Sequence, residues 1–279
     1  MLVCGDAAKV LPKNVPDESV DLVLTSPPYD QQRSYQGYTF AFQEIAQQCS
    51  RVLKPGGVIV WVVADATVKG SETLTSFKQA IYFAEQCGLR LHDTMIFAKN
   101  NPIPGDHGPR YRGSFEYMFV FSKGKPKTYN PVTWRSKDKV QFAERFRLEE
   151  QGRRSYSVPE NAVLKTSMER THPNIFFYTV AARKKGSPKQ SHPAVFPEQL
   201  AEDQIRTWTN PGDLVLDPMV GSGTTCSEAA RLDRAYVGID ISPEYLQIAK
   251  RNIEYQEGAG PVLEDDSEAR LEEIPLDFD

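Results

Sequence analysis

Apolar runs alternate with amphipathic segments along the first half of the chain. Short runs rich in β-branched and aromatic residues predict strands, and apolar residues at helical spacing predict the helices between them. The predicted strands span 20–25, 58–63, 94–98 and 117–122, and the predicted helices span 40–52 and 74–87. The sequence "KPGG" at 54–57 predicts a glycine-rich turn that ends the first of these helices. Such alternation is typical of an α/β protein.

The alternating pattern lapses over 123–190 and returns in the last third of the chain. The middle is polar, basic and rich in helix breakers, whereas "FPEQLAEDQIRTWT" restores a helical stripe. After it, "DLVLDPMVGSGTTCSEAARL" predicts a strand, a glycine turn and a helix, and "AYVGIDIS" predicts another strand. A final helix is predicted over "PEYLQIAKRNIEYQ", with Ser242 as its cap and Pro243 in its first turn. The sequence therefore predicts one sheet in two chain segments, with an insertion between them.

Composition favours a globular protein of the cell interior. With 279 residues, of which 40% are hydrophobic, the chain can bury one large core with a smaller appended module. Its four cysteines, Cys4, Cys49, Cys87 and Cys226, have neither metal-ligand nor disulfide-framework spacing, which favours a reducing compartment. We find no apolar stretch long enough to span a bilayer, and "MLVCGDAAKV" lacks the features of a secretory signal. We therefore expect no membrane partner and a cytoplasmic location.

Charge is distributed unevenly, although the net charge of the whole chain is only −4. Residues 124–190 carry 15 Lys and Arg against 6 Asp and Glu, a net charge of +9. Residues 257–279 carry 9 acidic residues against Arg270 alone, a net charge of −8, and predict a disordered acidic tail. A basic segment with interspersed aromatic residues favours a surface that follows nucleic-acid phosphates, and the alternative is a solvated charged face.

The tetrad Ser26, Pro27, Pro28 and Tyr29 follows directly on the first predicted strand. Two prolines fix the backbone and supply no N–H donors, so the chain must leave the sheet there. A hydroxyl before them and an aromatic ring after them stand at the carboxyl end of a strand, where open α/β sheets bind their ligands. The tetrad therefore predicts a pocket for a flat group that carries an amine. The alternative is a loop stiffened by prolines, with a tyrosine for packing.

The glycine turn in "LDPMVGSGTT" predicts a second ligand contact. Gly221 and Gly223 lie between a strand and a helix, so the backbone can approach a ligand closely and helical N–H groups can face it. Asp240 ends the next strand, 23 positions after Asp217, where a carboxylate can accept hydrogen bonds from a ribose. A tight turn, a capping aspartate or a nicotinamide site would give similar patterns, although Cys226 stands where the nicotinamide fingerprint has its third glycine.

Taken together, these motifs resemble the β class of the amino-methylating DNA methyltransferases, the N4-cytosine and N6-adenine family of the TSPPY type. In that class the catalytic motif comes first, the target-recognition region lies in the middle and the cofactor motif comes late. The sequences "TSPPY", the basic insertion and "DPMVGSGTT" have that order here, and "CGDA", "VLKPGG", "FEYMFVFSK" and "SHPAVFPEQL" extend the resemblance over about residues 1–256.

The resemblance implies a Rossmann-like fold of the kind that binds S-adenosylmethionine, with a mostly parallel central sheet, circularly permuted motif order and an inserted target-recognition region. The corresponding division of the chain is a catalytic half over 1–123, a recognition region over 124–190, a cofactor-binding half over 191–256 and the acidic tail over 257–279.

Site residues carry over from the resemblance position by position, and it implies no metal. Ser26, Pro27, Pro28 and Tyr29 would hold a flipped target base. The residues expected around S-adenosylmethionine are Asp6, Thr25, His192, Pro193, Phe196, Asp217, Met219, Gly221, Ser222, Gly223, Thr224, Asp240 and Ile241. Met219 stands where the family usually has phenylalanine, which preserves an apolar contact.

Candidate DNA contacts are basic residues of the insertion and of loops at the same sheet edge. They are Arg33, Arg110, Arg112, Arg135, Lys137, Arg153 and Arg154. Each is alternatively a solvated surface cation. Because Glu149 and Glu150 lie close to Arg153 and Arg154, the alternative for that cluster is self-pairing on an exposed helix.

The implied activity is methyl transfer from S-adenosylmethionine to the exocyclic amine of a base in double-stranded DNA. Many adenine-modifying relatives begin the motif with aspartate, so Ser26 favours N4 of cytosine, with N6 of adenine as the alternative. A protein-glutamine methyltransferase would place the cofactor motif first and begin the tetrad with asparagine. An inactive DNA-binding module is disfavoured by the intact "TSPPY" and "GSG". The sequence is compatible with a restriction endonuclease partner and with a monomer or a homodimer.

Overall fold

The computed structural model describes residues 1–28, 40–101, 109–142, 146–150, 153–157, 165–180 and 197–258. Several predicted features lie outside these described residues. They are Tyr29, Arg33, His192, Pro193, Phe196 and the acidic tail beyond residue 258.

An eight-stranded sheet forms the centre of the molecule. Its strands are β1 (Leu2–Cys4), β2 (Val20–Thr25), β3 (Leu53–Val63), β6 (Arg90–Lys99), β7 (Phe115–Ser122), β12 (Ile175–Tyr178), β13 (Leu214–Asp217) and β14 (Ala235–Asp240). Their order across the sheet is β1-β14-β13-β2-β3-β7-β6-β12. All neighbouring strands are parallel except β7, which is antiparallel to both β3 and β6. The predicted α/β fold with a mostly parallel sheet is thus confirmed.

Helices cover both faces of the sheet, because successive strand residues point to opposite sides. The helices are α1 (Ala7–Asn14), α2 (Phe42–Val52), α3 (Thr75–Glu85), α4 (Glu198–Trp208), α5 (Thr224–Arg231) and α6 (Pro243–Gly258). On one face, Val23 lies in a core with residues of α1, α2 and α3. On the other, Leu22 and Leu24 lie in a core with residues of α4 and α5. None of the helices in the described part of the chain is long and apolar enough to cross a membrane.

The predicted elements of both chain segments are found, with one error. The strand predicted over 20–25 is β2, and the predicted cap Ser242 accepts a hydrogen bond from the Tyr245 N–H at 3.3 Å. The "KPGG" turn is wrong, because α2 ends at Val52 and β3 already begins at Leu53. The segment belongs to the sheet since Gly56 N donates to Lys123 O at 2.7 Å.

The middle of the chain forms strands where the sequence shows no clear period. Here β8 (Thr133–Phe142) pairs antiparallel with β11 (Lys165–Thr171), and β9 (Phe146–Glu150) pairs antiparallel with β10 (Arg153–Ser157). Between this region and α4, β12 joins the central sheet beside β6. The predicted recognition region over 124–190 therefore includes one strand of the central sheet, and its boundaries stay a prediction.

Candidate active site

The predicted catalytic and cofactor residues that the structure describes lie at one edge of the sheet. The strands β1, β14, β13 and β2 are adjacent and parallel, so their carboxyl ends lie side by side. Asp6 follows β1, Asp240 ends β14, Asp217 ends β13 and Ser26 follows β2. Carboxyl edges of this kind are where open α/β sheets bind ligands. This edge is the candidate active site.

A buried hydrogen bond joins the catalytic strand to the cofactor strand. Thr25 Oγ1 donates to Asp217 Oδ1 at 2.7 Å, and Met219 N donates to the same oxygen at 3.1 Å. Burial raises the pKa of Asp217 to about 6, although hydrogen bonds from Thr25, Met219 and Thr225 oppose that shift. Asp217 thus stabilises the start of the glycine turn through its bond with Met219 N. A direct contact with the cofactor stays a prediction for both Thr25 and Asp217.

The glycine turn lies against α6, and at Gly223 there is no room for a side chain. Both glycines have left-handed backbones, with φ of 49° at Gly221 and 84° at Gly223. A Cβ atom on Gly223 would lie 2.7 Å from the Cα atom of Ala249, so only glycine lets α6 approach this closely. Asn252, which is 2% exposed, donates from Nδ2 to the carbonyl oxygen of Ser222. Two residues of α6 therefore stabilise the turn, Ala249 by packing and Asn252 by a hydrogen bond.

Sequence analysis missed the two residues of α6 that hold the turn. Ala249 and Asn252 lie three positions apart, so they share a helix face. The available sequence signal was an asparagine three positions after a small residue in an amphipathic helix. Such an asparagine, when buried, needs hydrogen-bond partners for its amide. In the turn itself, the hydroxyls of Ser222 and Thr224 lie 3.3 Å apart and are buried.

Asp240 accepts hydrogen bonds within its own turn. Its Oδ2 accepts from Gly221 N and its Oδ1 accepts from Ser242 N, both at 2.9 Å. The turn role that we considered as an alternative is therefore present. Acceptance of ribose hydroxyl hydrogens by the same carboxylate stays a prediction. Next to it, Ile241 is 46% exposed and offers an apolar surface at the same edge.

Asp6 and Met219 flank the site and also serve the fold. Asp6 caps α1, since its Oδ1 accepts from Ala8 N at 3.0 Å. Just before it, Gly5 N donates to the main-chain oxygen of Asp240 at 2.8 Å, which fixes Asp6 beside the end of β14. Met219 is partly buried against the core on the α2 face. Contacts of these residues with a cofactor stay predictions.

The tetrad begins at the end of β2, one strand away from the glycine turn. Pro27 is buried, and Ser26 and Pro28 are partly buried. Thr25, directly before them, pairs with Trp61 of β3 and bonds to Asp217. The catalytic motif is therefore anchored to the cofactor side of the sheet.

The candidate DNA contacts lie in two places. Arg110 and Arg112 belong to the loop before β7, at the same edge as Ser26, and Arg112 is exposed. Arg110 donates to the carbonyl oxygen of Gly70 and lies 3.8 Å from the carboxylate of Glu72. Arg135 and Lys137 lie on β8, where Arg135 is opposite Glu169. All four stay predicted DNA contacts.

Arg153 and Arg154 lie on a strand pair, so the exposed helix considered as their alternative setting is wrong. In the register of β9 and β10, Arg153 is opposite Glu150 and Arg154 is opposite Glu149. Residues directly opposite on antiparallel strands are close enough to interact, and opposite charges there are favourable. This register keeps pairing with Glu150 and Glu149 as the alternative to DNA contact.

The fold and the edge residues define a class of protein. The sheet is mostly parallel and carries a glycine turn, with an acidic residue at the end of the next strand and an apolar surface beside it. This arrangement fits S-adenosylmethionine, because a glycine turn admits close approach of a ligand and a carboxylate at this place can accept hydrogen bonds from ribose hydroxyls. The chain is an S-adenosylmethionine-dependent methyltransferase. It belongs to the N6_N4_Mtase DNA methylase family, whose sequence model matches residues 20–251.

Individual relatives agree with this assignment. The orphan methyltransferase M.BamHII of Bacillus amyloliquefaciens is 45% identical over 247 residues, which is 86% of this chain and 91% of that protein. The type II methyltransferase M.BglII of Bacillus subtilis is 27% identical over 88% of this chain and 66% of its own length.

Solved structures show the same fold. The PvuII DNA methyltransferase, named as cytosine-N4-specific, superposes with a TM-score of 0.66 at 22% identity, over 90% of this chain and 85% of its own. The DNA modification methylase TTHA0409 of Thermus thermophilus, solved with S-adenosyl-L-methionine, gives a TM-score of 0.59 at 25% identity, over 91% of this chain and 95% of its own. The chain is thus an amino-methyltransferase that acts on DNA.

Proposed function

We propose that the chain methylates N4 of cytosine in double-stranded DNA, at a base that it extrudes from the duplex. One observation carries the proposal. Ser26 stands at the carboxyl end of β2, where Thr25 ties the strand to Asp217 of the cofactor half. The first acceptor of the motif is therefore a hydroxyl rather than a carboxylate, held beside the glycine turn.

The reacting amine needs activation by acceptors. The lone pair of an exocyclic amine is delocalised into the base ring, so the nitrogen is a poor nucleophile until it becomes pyramidal. In our proposal, Ser26 Oγ and the carbonyl oxygen of Pro27 accept its two hydrogens, which favours the pyramidal nitrogen in the transition state. When bound, S-adenosylmethionine supplies an electrophilic methyl group. Pro27 is buried, and the direction of its carbonyl is restricted because Pro28 limits the ψ angle of the residue before it.

Extrusion of the base precedes the chemistry, because the amine of a paired cytosine cannot reach Ser26 inside the duplex. Extrusion costs a few kcal/mol, which stacking and edge contacts in the pocket offset. The predicted role of Tyr29 is to stack on the extruded ring.

Product analysis tests the base. DNA methylated by the purified chain is digested to nucleosides and analysed by mass spectrometry. N4-methylcytosine is expected, whereas N6-methyladenine would replace the cytosine assignment with the alternative specificity. DNA binding without any methylated nucleoside, together with no heat of S-adenosylmethionine binding in calorimetry, would indicate the inactive module.

A serine at each end of β2 allows a matched test of the acceptor. Ser26→Ala is expected to lower methyl transfer by at least about tenfold, since one lost acceptor in the transition state costs ~1.4 kcal/mol or more, with cofactor affinity nearly unchanged. Ser19→Ala removes a hydroxyl at the opposite end of the strand, where it donates to Pro16 O at 2.7 Å. Turnover should survive that control. Equal turnover of Ser26→Ala and wild type would remove Ser26 from the mechanism.

The sequence also supports proposals about target recognition, location and partners. We infer that 124–190 recognises the target, because its net charge of +9 suits the DNA backbone. A cytoplasmic location, a restriction endonuclease partner and a monomeric or homodimeric state stay predictions.

A further inference from the structure

The loop before β7 rises above the candidate active site. Thr25, Trp61 and Phe119 lie at one level of the sheet, by the registers of β2 with β3 and of β3 with β7. Phe115 precedes Phe119 by four residues on the antiparallel strand, so it lies about 13 Å beyond that level on the carboxyl side. Two strand spacings, about 10 Å, separate β7 from β2. The residues before Phe115 therefore stand beside and above the tetrad.

The described part of this loop next to β7, residues 109–114, is fixed near each of its two ends. Arg110 bonds to the carbonyl oxygen of Gly70 and lies near Glu72, in the short hairpin of β4 (Thr67–Val68) and β5 (Ser71–Glu72). At the other end, Lys99 N donates to the main-chain oxygen of Ser114 at 2.7 Å. A side chain carried between these two points is therefore held at a defined position.

Between the fixed ends, Tyr111 presents its ring to solvent. Its relative exposure is 101%, the highest among the exposed large hydrophobic side chains of the described residues. Its neighbours in sequence are Arg110 and Arg112, and Arg112 is also exposed. An aromatic ring flanked by cations is the combination that binds unstacked bases, because the ring stacks on any base and the cations hold phosphates.

We propose that Tyr111 stacks on DNA bases next to the extruded nucleotide and thereby lowers the cost of extrusion. The proposal rests on the proposed function, because it places duplex DNA over Ser26. In it, the ring covers the base surface that extrusion exposes, and Arg112 contacts the backbone beside it. Tyr111 touches the DNA but not the reacting amine, so its effect depends on how firmly the target base is paired.

The test compares two duplexes with two variants. The duplexes carry the sequence that modified-base sequencing finds methylated in cells expressing the chain, with the target base either paired or mismatched. Tyr111→Ala is expected to lower kcat/KM about tenfold on the paired duplex, which corresponds to ~1.4 kcal/mol. On the mismatched duplex, where extrusion is already easy, we expect a loss below about threefold. Tyr111→Phe keeps the ring and should stay close to wild type on both.

A tyrosine elsewhere provides the control. Tyr255 is 59% exposed on α6, outside the loop. Tyr255→Ala should leave kcat/KM unchanged on both duplexes. Equal losses of Tyr111→Ala on the two duplexes, or no loss, would overturn the proposal. So would a Tyr111→Phe variant as impaired as Tyr111→Ala, because the hydroxyl would then carry the effect.

A binding measurement separates this proposal from the proposed function. Binding of a fluorescent oligothymidine of about 16 nucleotides does not require methylation, and we expect Tyr111→Ala to weaken it at least about threefold. If the wild-type chain methylates adenine or nothing at all while this difference holds, the proposed function fails and the stacking role stands. Equal affinities of wild type and Tyr111→Ala for the oligonucleotide would overturn the stacking role whatever the methylation result.

Discussion

The hydroxyl of Thr25 donates a 2.7 Å hydrogen bond to the carboxylate of Asp217 across the junction between the two halves of the catalytic fold. Thr25→Val keeps the shape of the side chain but removes this donor. We expect the free energy of unfolding to fall by about 1–3 kcal/mol, because a buried carboxylate loses a partner. Urea denaturation measures the change, with Thr67→Val on the exposed strand β4 as a control expected within about 0.5 kcal/mol of wild type. A Thr25→Val variant as stable as that control would contradict the assigned role.

Asp217 should make stability depend on pH in an unusual direction. Its folded-state pKa of about 6 exceeds the ordinary value of 3.8, so the unfolded chain loses its proton first as pH rises. Between these two values the folded state binds more protons, and stability therefore falls with increasing pH. The contribution is fully present below pH 3.8 and lost above about pH 6, a change of roughly 3 kcal/mol.

Asp217→Asn removes the ionising group and should flatten this part of the profile. Denaturant unfolding of both proteins at several pH values on either side of the folded-state pKa of about 6 measures the difference. Parallel profiles for wild type and variant would show that Asp217 ionises normally in the folded protein.

Asp240 is expected to bind the cofactor in addition to supporting its turn. Asp240→Ala should raise the Kd for S-adenosylmethionine at least about tenfold. The carboxylate is expected to accept two hydrogen bonds from the ribose hydroxyls, and each lost bond costs ~1 kcal/mol. Asp213→Ala is the matched control. That aspartate also serves a turn, accepting from Asn210 N at 2.8 Å, but it lies before β13 at the opposite edge. If both variants lose stability and neither changes the Kd, Asp240 has a turn role alone.

Ser227 on α5 offers a stabilising substitution. Its hydroxyl is buried and has no hydrogen-bond partner among the described residues. Ser227→Ala removes this uncompensated group and introduces the best helix former, so we expect the free energy of unfolding to rise by about 0.5–1 kcal/mol. Thr225→Val, earlier on the same helix, should instead destabilise, because that hydroxyl reaches Leu24 O at 3.4 Å. A loss of stability in Ser227→Ala would reveal a partner for the hydroxyl.

The strand pair of β9 and β10 permits a direct test of the basic insertion. If Arg153 and Arg154 contact phosphates, replacing both by alanine should weaken DNA binding and reduce the salt slope by up to about one per lost contact. Lys250→Ala with Arg251→Ala removes two exposed cations from α6 and should leave the slope unchanged. Equal slopes in wild type and the Arg153 and Arg154 variant would favour pairing with Glu150 and Glu149 instead. Binding that does not depend on salt would contradict a phosphate role for the whole insertion.

Local sequence signals predicted the elements that local interactions determine. Ser242 and Pro243 marked the start of α6 because capping and proline geometry act within one helical turn. The short strand β1, Leu2–Cys4, has no such signal, since its pairing with β14 lies far along the chain. The strands of the insertion were also missed, because charged residues interrupt the apolar alternation that predicts a strand.

Contacts between distant elements explain what remained unpredicted in the site. The glycines at 221 and 223 were predicted to admit a ligand, but Gly223 also admits Ala249 of α6. Cys226 shows the same effect, because a Cβ on Gly238 would lie 2.8 Å from its sulfur. The sequence shows that these residues are small. It does not show which distant residue packs against each of them, because that contact forms only when the helices and strands pack together.

The pairing of β2 with β13 has a consequence for synthesis of the chain. Thr25 and Asp217 are 192 positions apart, so at about 5–20 residues per second β2 waits roughly 10–40 s on the ribosome for its neighbour. During that time β3 covers only one of its edges, and all six residues of β2 are destined for burial. The nascent chain thus exposes an apolar strand edge to other nascent chains, which makes strand β2 the place where slow or truncated translation would begin aggregation.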